Sequence, residues 1–346
     1  MIFYYIYILI SLFCIIREES GLSEKKRLWN LRIAILPVFV LMAFKAPTVG
    51  SDTPNYIRMY EMIADTTWYL DEYGGIEPGY NLFQRALHLI SADPQTLMIG
   101  VAVVVAIALF YFFKEYKYAC FALYFFTSLG FLSFALSGLR QTLAIAIGML
   151  AYRYIKGRKI VPFFLVTLLA FTFHRSALFI IPAYFIANQQ LKAKNVSMVF
   201  FLILLVFFFA DKLLLTVADI MSYDKYGVEY TANGYQFFLL VLLVTIVVIK
   251  NRDKIIKFNA SNLYVLNINF LSMAMWIIRL ASRTAERVSF YFLPYTAAVM
   301  SEYIATCPKS TRIQLKIICL FVATYLFLHR VGYQEDIEDY MFFFIL

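Results

Sequence analysis

Apolar residues come in long blocks along this chain, separated by short clusters of charge. The blocks predict helices at 2–16, 31–45, 95–113, 118–136, 138–155, 160–173, 176–188, 196–213, 235–250, 261–280, 285–304 and 312–329. Crossing a bilayer takes about 20 apolar residues, with a range near 17–25. Several blocks are shorter, so tilt, local thinning or re-entrance is expected for them. The pattern predicts an all-α polytopic membrane protein with about 11–12 membrane-embedded helices. Gly and Pro are sparse, so residues 1–346 read as a single transmembrane domain. Its main outer loop is placed at 46–94 and a second at 211–234.

The charged clusters orient the blocks. With the N-terminus outside, six segments fall in the cytoplasm: 17–32, 114–117, 153–159, 189–195, 250–259 and 305–316. They hold 20 of the 31 lysines and arginines, while 16 of the 22 acids fall outside, as the positive-inside rule requires. The stretch 160–188 tests this parity. One long helix there would bury His174 and Arg175 at mid-membrane and move the basic loop 250–257 outside. A re-entrant hairpin preserves it. Each arm of about 14 residues spans only about 21 Å, so the tip sits below the outer surface. Ionisable residues at that depth are costly unless they line a wet cavity.

Composition agrees: 62% hydrophobic, 18% aromatic and 15% charged, against roughly 45–50% apolar and 25% charged in soluble domains. The net charge of +9 is accounted for by topology, so no nucleic-acid partner is expected. Cys14, Cys120, Cys307 and Cys319 lack metal or redox spacing. The first block has no basic region before it and no cleavage signature, so it is expected to be a retained span.

Four polar constellations interrupt the apolar pattern. Arg279, Arg283 and Arg287 recur every four residues, which on one helix would stack them on a face; an anion would relieve their repulsion, and Arg grips phosphate bidentately. The plainer alternative is snorkelling arginines partly paired with Glu286. Arg140-Gln141 opens the helix 138–155, where the helix dipole adds positive character; alternatively it is an interfacial anchor. Phe173-His174-Arg175-Ser176 forms the hairpin tip, and His174 is either a proton acceptor or part of a polar cap. Asp52, after a Gly-Ser turn, and Glu77, before Pro-Gly, are each candidate bases or turn caps. No metal-ligand pattern is present, so neither metal nor cofactor is expected.

Gly50 with Asp52-Thr53-Pro54-Asn55-Tyr56, Glu77-Pro78-Gly79-Tyr80, Gly138-Leu139-Arg140-Gln141-Thr142-Leu143-Ala144, Phe173-His174-Arg175-Ser176-Ala177-Leu178, and Glu286-Arg287 before Tyr291-Phe292 resemble the EpsG family in order and spacing. These are Wzy-type polymerases of bacterial surface polysaccharides. The resemblance implies a GT-C-like glycosyltransferase of the bacterial inner membrane, active on the periplasmic face. Such an enzyme joins oligosaccharide repeat units carried on undecaprenyl diphosphate into an O-antigen, exopolysaccharide or capsule. It implies lipid-linked oligosaccharides as donor and acceptor, membrane lipids as surroundings and a chain-length regulator as a candidate partner. On this reading Arg140, Gln141, Arg175, Arg279, Arg283 and Arg287 bind the diphosphate. Asp52, then His174, then Glu77 rank as the base, and Tyr56 and Tyr80 stack on sugars. Alternatives are a ligase moving a finished chain from the same carrier, a flippase for lipid-linked sugars and a membrane acyltransferase. The flippase would want charges through the depth of a central cavity and internal repeats, and neither is evident.

Overall fold

The computed structural model describes residues 1–64, 77–190, 234–280 and 284–345. Among these the structure is all helix, apart from an isolated bridge between Lys45 and Phe342. The described residues divide into two compact units. One comprises Met1–Tyr152, Phe164–Leu178 and Cys307–Leu346, and the other Arg153–Phe163 and Phe179–Thr306.

The first unit contains helices α1 (Ile2–Glu18), α2 (Glu24–Ala43), α3 (Thr53–Glu61), α4 (Pro78–His88), α5 (Gln95–Phe113), α6 (Ala119–Phe126) and α7 (Leu132–Ser137). It also holds most of α8 (Leu139–Lys156) and of α9 (Ile160–Phe171). The first unit takes a long later helix as well, Lys309–Gly332. Helix α1 shows how it is built. Tyr4, Tyr7, Ser11 and Cys14 are buried, while Ile2, Ile6, Leu9, Phe13 and Ile16 are exposed. An apolar stripe facing outward is costly in water and matched in lipid. The Lys309–Gly332 helix repeats this with exposed Ile317, Ile318, Phe321 and Tyr325. Three described helices are long and apolar enough to cross a membrane by themselves: Gln95–Phe113, Ala119–Ser137 and Lys309–Gly332. The chain is an all-α polytopic membrane protein.

Polar side chains tie the helix ends. The Glu18 carboxylate accepts the Cys120 and Phe121 N–H groups at 2.6 and 3.2 Å, satisfying donors that the start of α6 leaves open. Arg27 donates to the Lys114 and Tyr116 carbonyls at 2.8 and 2.9 Å, closing the end of α5. Glu19 pairs with Lys316 at 2.7 Å and Arg312 at 3.1 Å.

The block 118–136 is not one regular helix. It contains a π-type turn over Thr127–Phe131, and Gly130 adopts φ +102°. A Cβ there would lie 2.7 Å from an Arg330 guanidinium nitrogen, so glycine answers both the conformation and the close approach.

The second unit contains α10 (Ile181–Ala187), α11 (Tyr235–Lys250), α12 (Arg252–Phe258), α13 (Asn262–Arg279), α14 (Thr284–Ser289) and α15 (Leu293–Ala305). Asn267 donates to the Ala187 and Gln189 carbonyls at 2.8 Å each, closing the end of α10. Phe237 stacks on Trp276 at 5.5 Å. The stretch 160–188 is two short arms. Phe163 and Tyr184, far from the tip on opposite arms, pack at 4.8 Å between ring centroids, so the arms run antiparallel as the hairpin reading requires. The expected helix 196–213 and loop 211–234 lie outside the described residues, except for Gly234.

Candidate functional site

The loop between α2 and α3 is fixed by a lysine that the sequence reading passed over. Lys45 is buried, and its ammonium donates to the Val49 carbonyl at 3.2 Å, the Thr53 hydroxyl at 2.6 Å and the Leu136 carbonyl. Leu136 lies in the last turn of α7, where the helix dipole favours a cation. Gly50 makes the same contact from the backbone side. Its φ is +91°, and a Cβ would lie 2.9 Å from the Leu136 carbonyl carbon. Gly50-Ser51-Asp52-Thr53 is thereby docked on the chain just before Gly138-Leu139-Arg140.

Helix α4 docks on the same region. Its N-terminal amides, from Gly79 and Tyr80, donate to the Thr172 carbonyl at 2.8 and 3.3 Å. A Cβ on Gly79 would come within 2.8 Å of that oxygen, so only glycine lets helix and hairpin tip approach. Pro78 occupies the first helical position, which needs no N–H. Glu77 sits at the N-cap without capping through its side chain. Its carboxylate instead accepts from Arg140 at 2.8 Å.

Arg140 is the hub. Its side chain keeps 30% exposure, while Glu77 keeps only 5%. The Tyr56 hydroxyl faces the Arg140 guanidinium and backbone, with Asp52 also in electrostatic reach. The Tyr56 and Tyr80 rings meet edge to face at 5.9 Å. Burial pushes the Tyr56 hydroxyl above its ordinary pKa; Arg140 offsets part of that rise and Asp52 adds to it. Burial pushes Tyr80 well above its ordinary value, with Tyr56 adding. Both therefore act as neutral hydrogen-bonding groups near neutral pH, not as bases.

The other carboxylate differs. Asp52 is half-buried and sits at the N-cap of α3 without a side-chain cap bond. Its carbonyl accepts the Tyr56 N–H at 3.2 Å, while its carboxylate takes no hydrogen bond or ion pair among the described residues. Turn capping therefore accounts for neither Asp52 nor Glu77. His174 does have a local role: its Nδ1 lies 2.6 Å from the Ser176 hydroxyl and accepts the Ser176 N–H at 3.3 Å. That caps the turn leading into Arg175–Ile180. Gln141 is buried directly after Arg140, and Arg175 is half-buried directly after His174.

The first unit thus brings together Asp52, Tyr56, Glu77, Tyr80 and Arg140, with the His174 tip held to α4 through Thr172. A family model described as EpsG family matches residues 28–344. The chain belongs to the EpsG family. It is a polysaccharide polymerase-like membrane protein, as members of that family are Wzy-type polymerase-like. No curated protein and no solved structure matches it. Three of the five EpsG-like motifs meet in this unit, Gly50–Tyr56, Glu77–Tyr80 and Gly138–Ala144, and the Phe173–Leu178 tip is held to α4 through Thr172 and the Phe83–Phe173 ring contact.

The arginines of the second unit are described in part. A stack on one helical face requires a continuous helix, but α13 ends at Arg279 and α14 begins at Thr284. Arg283 lies outside the described residues. Arg279 is buried, and its Nε donates to Glu286 at 2.8 Å, so its charge is compensated within the unit. Gly234 packs on that guanidinium, where a Cβ would lie 3.2 Å from Cζ. Arg287 is exposed. For Arg279 the plainer alternative, an arginine paired with Glu286, is what the structure shows.

Sequence reasoning also missed Thr172, which acts through its carbonyl, and Gln84, buried on α4. Lys45 left a signal: a lone cation ending an apolar block, just before the Gly-Ser-Asp-Thr-Pro turn. Thr172 left none, since any residue supplies a carbonyl.

Proposed function

We propose that the protein is a glycosyltransferase that polymerises oligosaccharide repeat units linked to undecaprenyl diphosphate, acting at the periplasmic face of a bacterial inner membrane. The observation that carries this reading is Arg140, a partly exposed guanidinium held by Glu77 and faced by Tyr56, with a half-buried Asp52 nearby that has no cation partner. The acceptor hydroxyl attacks the anomeric carbon of the donor sugar. The C–O bond to the diphosphate breaks, and the bonding pair leaves with the lipid diphosphate. Asp52 takes the hydroxyl proton. Arg140 stabilises the negative charge that grows on the leaving diphosphate, and being already oriented it needs no reorganisation. Glu77 orients Arg140 and is less suited to be the base, because its carboxylate is committed to that pair. His174 is ranked below Asp52, because its Nδ1 is occupied by Ser176. Arg287, exposed in the second unit, remains a candidate for anion or lipid contact there.

The test is elongation in vitro by purified protein with lipid-linked repeat units. Wild type is expected to give a ladder of chain lengths, and both Asp52→Asn and Arg140→Ala only single units. A normal ladder from Arg140→Ala would remove the basis of the proposal. Reporter fusions at Arg158, His174 and Gln190 test the sidedness: a cytoplasmic signal at His174 contradicts it.

A further inference from the structure

The buried face of α4 carries more polar groups than the ion pair uses. Tyr80, Asn81 and Gln84 all point inward and are 0–4% exposed. Asn81 is accounted for, since its Oδ1 accepts from Arg85 Nε at 2.9 Å. Gln84 is not. Both its amide nitrogen and its amide oxygen are buried without a hydrogen-bond partner, as are the Tyr80 hydroxyl and Arg140 Nε. The Gln84 amide lies within side-chain hydrogen-bonding reach of the Tyr80 hydroxyl, but the geometry falls short of a well-formed bond. Even a full bond would use one of the four positions a glutamine amide offers.

Leaving such groups unmet is costly. A buried polar atom with no partner loses roughly its whole desolvation penalty, and folded proteins tolerate few of them. An apolar residue of the same shape would serve packing better. The orphaned atoms are also not scattered. Tyr80 interacts with Tyr56, Gln84, Arg140 and Glu77, so they border the residue that holds the candidate leaving group. Gln84 lies six residues beyond Pro78, about 9 Å along the helix. That offset suits a group attached to the diphosphate rather than the diphosphate itself. The unmet atoms include both donors and acceptors and carry no formal charge apart from Arg140. A sugar hydroxyl, at once donor and acceptor, satisfies such a set; a second phosphate would not.

We propose that Gln84, with the Tyr80 hydroxyl, recognises a hydroxyl group of the sugar whose diphosphate faces Arg140, making Gln84 a specificity-determining residue. The inference rests on the polymerase reading above. Tyr80 is fully buried, so entry requires its ring to shift.

The experiment compares wild type with Gln84→Leu and Gln84→Met on a panel of lipid-linked repeat units, each with one sugar hydroxyl replaced by hydrogen. Wild type is expected to elongate the complete unit and to lose roughly 100-fold in kcat/KM on at least one deoxy unit. Both variants should lose a similar factor on the complete unit, and their preference between complete and deoxy units should disappear. Their thermal midpoints should equal or exceed that of wild type, because an apolar side chain replaces an unmet amide. Unchanged kcat/KM across the panel, or midpoints several degrees lower in both variants, would make Gln84 a packing residue and overturn the inference while leaving the polymerase reading intact. Failure of wild type to elongate any unit would sink both.

Discussion

Arg140 is held in place without being fully neutralised, and that combination is what a leaving diphosphate needs. Glu77 satisfies one edge of its guanidinium, and the remaining exposure leaves charge to offer. Arg140→Ala is expected to lower kcat by about 10²–10³, the usual cost of removing one oriented donor from a developing anion. Arg140→Lys should recover only part of this, because an ammonium keeps the charge but loses the planar fork. Initial rates of chain elongation measure both. Gly79 matters through what it lacks: any side chain would collide with Thr172 backbone. Gly79→Ala should separate α4 from the hairpin tip and cost about 1–3 kcal/mol, as small-to-large changes in packed sites do. It should lower activity together with the thermal midpoint, which distinguishes it from Arg140→Ala.

The elements of the first unit are short at the site and long away from it. Helices α3 and α4 are brief and amphipathic, and they rest on the end of α7, the start of α8 and the hairpin tip. Lys45 couples two of these pieces, because one ammonium binds both the α3 loop and the α7 terminus. Lys45→Met keeps the stem and removes all three bonds; the Val49 carbonyl keeps the Thr53 hydroxyl at 2.7 Å, but the Leu136 carbonyl retains only that hydroxyl at 3.4 Å. Such losses cost roughly 1–3 kcal/mol for each buried group. The expected result is a lower thermal midpoint with a reduced kcat, since Asp52 and Arg140 would no longer be held in register. An unchanged kcat in folded Lys45→Met protein would show that the pin has no bearing on the site. In the second unit the relevant element is a break. Helix α13 ends at Arg279, and Arg279 meets Glu286 of α14.

Across the molecule, polar residues near the charged segments act as specific links between helices rather than as bulk charge. Glu19 joins the end of α1 to the Lys309–Gly332 helix through Lys316 and Arg312. Burial disfavours its charged form, but the Lys316 bond and charge, helped by Arg312, outweigh this and hold its carboxyl below the usual carboxylate range. A lowered native value means the link contributes fully above the unfolded value near 4.3 and is lost as pH falls through the native one. The thermal midpoint in detergent should therefore drop on acidification below about pH 4.3. Glu19→Gln should show a shallower drop over the same window.

The sequence by itself determined the class of molecule and named candidates for its site. Block hydrophobicity is a one-dimensional property, so helices, membrane embedding and the 160–188 hairpin were legible without coordinates. Short ordered motifs such as Glu77-Pro78-Gly79-Tyr80 survive as strings, so the family was legible too. Partners were not. That Glu77 serves Arg140 rather than its own helix, that His174 binds Ser176, and that Gln84 is buried unmet all depend on where distant segments cross. Spacing alone likewise did not say that α13 ends at Arg279 or that Arg279 meets Glu286. Hydrophobic pattern sets which residues leave water, whereas tertiary packing alone decides which polar groups face one another once they have done so.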